Sequence, residues 1–366
     1  MANSDATNNP FEDDPRPPEE NNQIDELEAL TRKLLDMRYQ PPKRVLRGVH
    51  PKSHGCVRAF FDIRHDIAED MRVGLFATPG RRFNAWIRFS NASVRVAHDL
   101  EDGKHGSRGM AVKVMDVDGE VLLEDKGRRS QDFLMINQPA FAFANAEDYL
   151  RLNQIIHQNN DDATMFFAPL QVDVPGITPE QKARILRSFQ LVQRLQSVPV
   201  ANPLEVSYFG AAPFLFGPDR VMRFCAEPWG GEKPQVLPDN PSKNYLREAL
   251  VETMAQKEDV CFDFKVQVRG SQDGDLDIED ASTVWDESQT PYINVARITI
   301  PAPQRKVNGP QRIKHCERLA FTPWHCLADH QPLGSINRLR KAVYLASVDH
   351  RSAGRPKKKH GTTGRA

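Results

Sequence analysis

The sequence predicts an α+β fold: an eight-stranded antiparallel β-barrel with helices inserted between its strands. Three observations point there. About eight segments alternate apolar with polar residues and are rich in β-branched and aromatic side chains, in two groups of four with helical patterns between. Short turns join neighbouring strands, which favours antiparallel pairing. Eight antiparallel strands close into a barrel whose interior side chains fill.

The elements follow in order. Residues 1 to about 22 are polar, acidic and proline-bearing, and read as disordered. They have no basic start and no apolar centre, so they are not a secretory signal. Ile24, Leu27, Leu30, Leu34 and Leu35 recur at helical spacing, which predicts an amphipathic helix over 23–38, stopped by Pro41-Pro42. Residues 1–40 are thus an acidic arm plus a short helix. Strands are expected at 56–63, 84–90, 109–117 and 132–136. The third runs into Asp118-Gly119, a strong hairpin signal, with 120–123 as the expected partner. Helices are expected at 145–158 and 178–196, the second opened by Thr178 as cap and Pro179 at its first position. Together they make a helical insertion at about 144–200. Strands return at 204–209, 221–226, 261–268 and 293–300, with a helix over 242–257 that Ser242 would cap. Residues 310–354 are polar and loop-rich up to a short helix at 335–345 or slightly longer. The basic tail, 354–366, reads as a disordered end, so one domain is expected over 41–353.

Composition narrows the function. Lys+Arg and Asp+Glu number 49 each, so nothing favours nucleic acid or an acidic membrane as partner. No apolar run approaches the roughly 18 residues of a membrane-spanning helix. The five cysteines are odd in number and form no CxxC pair, which fits a reducing compartment, and a cytoplasmic location is expected. His315-Cys316 and His325-Cys326 match no usual zinc spacing.

Two stretches carry chemistry. Arg47-Gly48-Val49-His50-Pro51-Lys52-Ser53-His54-Gly55 puts a guanidinium, two imidazoles, an ammonium and a hydroxyl just before a strand. An imidazole fixed there suits acid–base work; the alternative is a surface or hydrogen-bonded histidine pair. Near the other end, Arg340, Tyr344, Ser347 and Arg351 share one helix face if the helix persists that far. That face is either an exposed basic one, or it presents Tyr344 beside Arg340 as a phenolate metal ligand.

These stretches, with three more, resemble the haem catalase family. Arg47 to Lys52, with Gly55, is similar to its distal-histidine motif, Arg-Val-Val-His-Ala-Lys. Trp86-Ile87-Arg88-Phe89-Ser90 is similar to its Arg-Phe-Ser strand, and Arg108 to Lys113 to Arg-Gly-Phe-Ala-Val-Lys. Asn137-Gln138-Pro139 stands where the family has Asn-Thr-Pro. Arg340 to Tyr344 reproduces the proximal Arg-x-x-x-Tyr, and Arg351 a later arginine. The five matches fall in family order. They resemble the short catalase-related form, a catalase-like peroxidase lacking the extra C-terminal domain.

The resemblance implies haem b (iron protoporphyrin IX) as cofactor, a proximal haem helix near the C-terminus, and hydrogen peroxide or an organic hydroperoxide as substrate, reduced through a ferryl intermediate. His50 would be the distal acid–base group, Asn137 its hydrogen-bonding partner and Ser90 a hydroxyl beside it. Tyr344 would bind the iron, with Arg340 next to it. Arg47, Arg88 and Arg351 would hold the haem carboxylates, which a planar guanidinium suits, and Val49 would pack on the porphyrin face. The family's haem-stacking phenylalanine is replaced by Ala142, so Phe141 or Phe143 would substitute. His54 competes with His50, which is preferred because it alone sits in the His-x-Lys frame. The shortened C-terminus offers no basis for bound NADPH. A fatty-acid hydroperoxide isomerase of the allene-oxide-synthase kind and a non-catalytic haem-binding protein are the rival readings, and a homo-oligomer is left open.

Overall fold

The computed structural model describes residues 17–40, 45–270 and 277–353. The expected helix stop at Pro41-Pro42, the tail 354–366 and most of the acidic arm lie outside them. Helix α1, Glu20–Arg38, starts earlier than its apolar spacing predicts. The reason is tertiary: the buried carboxylate of Glu20 accepts hydrogen bonds from Arg338 at 2.5 and 2.6 Å. Residues 20–22, expected to be disordered, are therefore helical.

The first four strands are β1 Ser53–Ile63, β2 Arg82–Asn91, β3 Arg108–Met115 and β4 Ser130–Ile136, each pairing antiparallel with the next. Helices α2, Ala146–Gln158, and α3, Pro179–Ser197, follow. Asn145 caps α2 through the Asp148 N–H, and Thr178 and Gln181 form a capping box on α3. The second group is β5 Tyr208–Phe209, β6 Phe214–Leu215, β7 Arg220–Pro228, β8 Val260–Gly270 and β9 Ile293–Ile300. Strand β9 pairs with β1, and β5 bridges β4 to β7, so eight antiparallel strands close into a barrel with the two-residue β6 as an extra strip on β7. Helix α4, Tyr245–Ala255, lies between β7 and β8; α5, Pro310–Cys316, and α6, Gly334–Ala353, end the described chain. Among the described residues no helix is long and apolar enough to cross a membrane.

The barrel interior is packed with phenylalanine. Phe61, Phe133, Phe224 and Phe264 contact one another at ring-centroid distances of 4.6–5.7 Å. Aromatic pairs of this kind are worth about 0.5–1.5 kcal/mol each beyond their buried area.

Several expectations are corrected. Residues 120–123 are not a strand: β3 turns back through a longer loop to pair with β4, Met115 opposite Ser130. Backbone groups of 120–122 bond instead to 326–328, at Leu122 N–Cys326 O 2.9 Å and Ala328 N–Glu120 O 3.1 Å. The strand expected at 204–209 shrinks to two residues, because the Ser207 N–H is taken by the Glu232 carboxylate at 2.7 Å. Helix α4 starts at Tyr245, and Ser242 does not cap it; the Leu246 N–H bonds to Asp99, distant in sequence, at 3.1 Å. Helix α5 has too few residues for periodicity to reveal it. Helix α6 runs past the expected 345, which puts Arg340, Tyr344, Ser347 and Arg351 on one helix.

Candidate functional site

One end of the barrel gathers the start of β1, the end of β2, the start of β3 and the end of β4. Alternation turns Ile87 and Phe89 into the core and Arg88 and Ser90 outward. With α6 opposite, they line an open cavity whose empty space, counted together with its solvent-filled mouth, is about 760 Å³. Its wall includes Arg47, Val49, His50, Arg88, Ser90, Phe141, Arg340, Tyr344 and Arg351. All the site residues expected from the sequence are there except Asn137.

His50 is the most constrained of them. Its backbone is left-handed, at φ 56°, held by its N–H on Ser93 O at 2.9 Å and its carbonyl accepting from Arg88 at 2.7 Å. Its ring Nδ1 lies 3.0 Å from Ser90 Oγ. The ring rests on Gly109, where a Cβ would stand 2.6 Å from Nδ1 and Cε1. Burial first, then the positive charges of Arg88, Arg340 and Arg47, push its pKa down to about 3. At neutral pH the imidazole is uncharged and able to accept a proton.

His54 lies elsewhere, in β1. Its Nε2 is 2.9 Å from Asn91 Oδ1, inside a buried polar cluster with Lys52, Asp99 and Arg108. It does not line the cavity. Asn137 is also turned away: its Oδ1 accepts from the Arg108 N–H at 2.7 Å and the Ser107 hydroxyl at 3.4 Å. Ser90, not Asn137, is the hydrogen-bonding neighbour of His50.

On the opposite wall, the guanidinium of Arg340 stands 5.4 Å from the Tyr344 ring centroid and donates to Asn337 Oδ1 at 3.0 Å. Ser347 ties α6 to the histidine segment, accepting from the Gly48 N–H at 3.1 Å and from Arg351 at 3.1 Å. Phe141 faces the cavity, whereas Phe143 packs against Phe166 at 5.3 Å. Arg47 donates to the carbonyls of Cys316 and Leu319 at 3.0 Å each. Sequence reasoning missed Phe209 and Phe321 on the wall, and Glu317 beside it, 3.7 Å from both Arg47 and Arg88. Phe209 ends an expected strand but nothing in that strand marks it as a wall residue, and Phe321 and Glu317 belong to no periodic pattern.

The donor set fits haem. The buried Nε atoms of Arg47 and Arg88 make no hydrogen bond, which suits a ligand bearing carboxylates. Met110, Leu134, Ile136, Phe209 and Phe321 supply apolar surface, and Tyr344 supplies a phenol oxygen.

No protein-family model matches the chain, and no curated protein matches it in sequence. Solved structures do. Catalase A from Saccharomyces cerevisiae aligns at a TM-score of 0.63 and 18% identity, over 92% of this chain and 65% of that one. A fungal catalase aligns at 0.61 and 16%, over 88% and 67%, and a bacterial catalase at 0.63 and 17%, over 97% and 66%. The chain spans about two thirds of the length of each, and less than that of catalase A. The likeness shows the fold: a closed eight-stranded antiparallel barrel with helices, shared with catalases.

Proposed function

We propose that the cavity holds haem b and that the protein is a catalase-related oxidoreductase acting on hydrogen peroxide. One observation carries this reading: His50 and Tyr344, far apart in sequence, line the same cavity together with Arg47, Arg88 and Arg351. Tyr344 would bind the iron as phenolate, and the three arginines would hold the carboxylates. The bound haem supplies the two electrons that O–O cleavage consumes. His50 would take the proton from one peroxide oxygen and pass it to the other, which would leave as water. Burial keeps the ring neutral at pH 7, so one ring nitrogen is unprotonated before the step. Ser90 and Gly109 fix the ring's position. We read residues 41–353 as the haem domain.

A second reading, a peroxidase or isomerase of fatty-acid hydroperoxides, is favoured by the apolar wall of Met110, Leu134, Ile136 and Phe209. The test is anaerobic mixing of haem-loaded protein with hydrogen peroxide, and separately with a fatty-acid hydroperoxide, followed by an oxygen electrode and absorbance. Oxygen from hydrogen peroxide supports the first reading; turnover of the lipid substrate alone supports the second. A haem-loaded protein inert to both overturns the enzymatic assignment. His50→Ala should slow peroxide consumption by about 10²–10⁴-fold, with His54→Ala close to wild type at equal haem content. Tyr344→Phe should lose haem or change the ferric spectrum, and an unchanged spectrum would refute its ligand role.

A further inference from the structure

Glu317 is a buried carboxylate beside a cavity whose other charged groups are guanidinium groups. It sits just past α5, 8% exposed, with its two oxygens 3.7 Å from Arg47 and from Arg88. That distance is too long for hydrogen bonding. The carboxylate thus attracts both cations without using their N–H groups, and the Nε atoms of both remain without a hydrogen bond. Arg47 and Arg88 bring two positive charges to one carboxylate.

We propose that Glu317 is a resident counter-ion of the Arg47–Arg88 pair, which steadies the pair in the porphyrin-free protein and competes with the first carboxylate of an incoming porphyrin. The inference rests on the haem reading above, and it deepens it by naming the residue that limits affinity for a dicarboxylate ligand. Two like charges buried side by side repel strongly at low dielectric, and an intervening carboxylate relieves that repulsion. The same carboxylate repels a ligand carboxylate arriving at the same two cations. Stability without the ligand and affinity for it are therefore opposed through one residue.

The test uses metal-free protoporphyrin IX, which carries two carboxylates and needs no axial ligand, and its dimethyl ester, which carries none. Each is titrated by fluorescence into the full chain and into Glu317→Gln, and each protein is melted without porphyrin. In Glu317→Gln the diacid should bind roughly tenfold tighter, as expected for removing a nearby like charge in a partly screened site. The diester should bind as in wild type, and the melting temperature without porphyrin should fall. Unchanged or weaker diacid binding overturns the proposal, and so does an equal change for both porphyrins, which would mark a change of shape. If Glu317→Gln does not fold, Glu317→Asp decides: its shorter reach withdraws the charge, so diacid affinity should rise by less, again without effect on the diester. A wild-type protein that binds neither porphyrin, or does not prefer the diacid, fails one step earlier and overturns the haem reading with this one. Wild-type preference for the diacid with no response to substitution at 317 overturns the role of Glu317 alone.

Discussion

Gly109→Ala should disable the site by a single methyl group. The glycine's φ lies outside the left-handed region, so alanine meets no backbone penalty there. Its Cβ would stand 2.6 Å from Nδ1 and Cε1 of His50 and 3.0 Å from Ser90 Oγ. Favourable carbon contacts begin at about 3.5 Å, so the ring must move by roughly 1 Å. Its backbone cannot follow, being tied to Ser93 and Arg88. The movement breaks the 3.0 Å contact with Ser90. A displacement of about 1 Å can cost about 10²-fold in rate, and complete loss of an acid–base group about 10²–10⁴-fold. Overpacking should also lower stability by about 1–3 kcal/mol. The assay is initial oxygen evolution from hydrogen peroxide at matched haem content. We expect a loss of roughly 10²-fold or more, and the double variant with His50→Ala should be no slower than His50→Ala, because both changes act on one group. A Gly109→Ala rate within about threefold of wild type, a barrier change under about 1 kcal/mol, would refute the placement of His50.

Further predictions concern stability. Burial foremost pushes His50 and His54 down to about 3 and His330 to about 4, while unfolded histidine titrates near 6.5. Their depressed values contribute stability in full above about pH 6.5, and it is lost as pH falls through about 4 for His330 and toward about 3 for His50 and His54. Near pH 5 the loss should reach about 4 kcal/mol per pH unit, three protons at about 1.4 each. Urea denaturation of the porphyrin-free protein at pH 7, 6 and 5 measures it, and equal stability throughout would contradict the buried neutral state. Asp132→Asn should cost roughly 3–5 kcal/mol, because the buried ammonium of Lys113 lies 2.8 Å from that carboxylate and His325 Nδ1 lies 2.9 Å from it. A loss under about 1 kcal/mol by the same method would show that the pair is not a buried ion pair in solution.

Much of the site was legible because its residues sit in local frames. The choice of His50 over His54 came from a frame of three residues, and the structure puts His50 in the cavity and His54 in a separate polar cluster. The face shared by Arg340, Tyr344, Ser347 and Arg351 is a matter of helical period, readable once the helix is long enough. Asn137 shows the limit. Its motif position suggested a neighbour of His50, but its amide oxygen is taken by Arg108 and Ser107. Glu317 carries no local mark at all, since it comes within 3.7 Å of Arg47 and Arg88, from other segments, only through the fold.

The sequence by itself determined the α+β class, most strand and helix positions, the cap on α3, and the two stretches that line the cavity. These follow from side-chain alternation, helical spacing and capping, which are properties of neighbouring residues. Only the tertiary structure decided which groups meet. It closed the barrel through the short β5 and ordered the start of α1 by the Glu20–Arg338 pair. It also sent 120–122 to pair with 326–328 instead of folding back on β3. Each of these outcomes depends on a distant segment competing for a backbone group or a charge. A periodic pattern records which face of an element is buried; it does not record which other part of the chain will cover it.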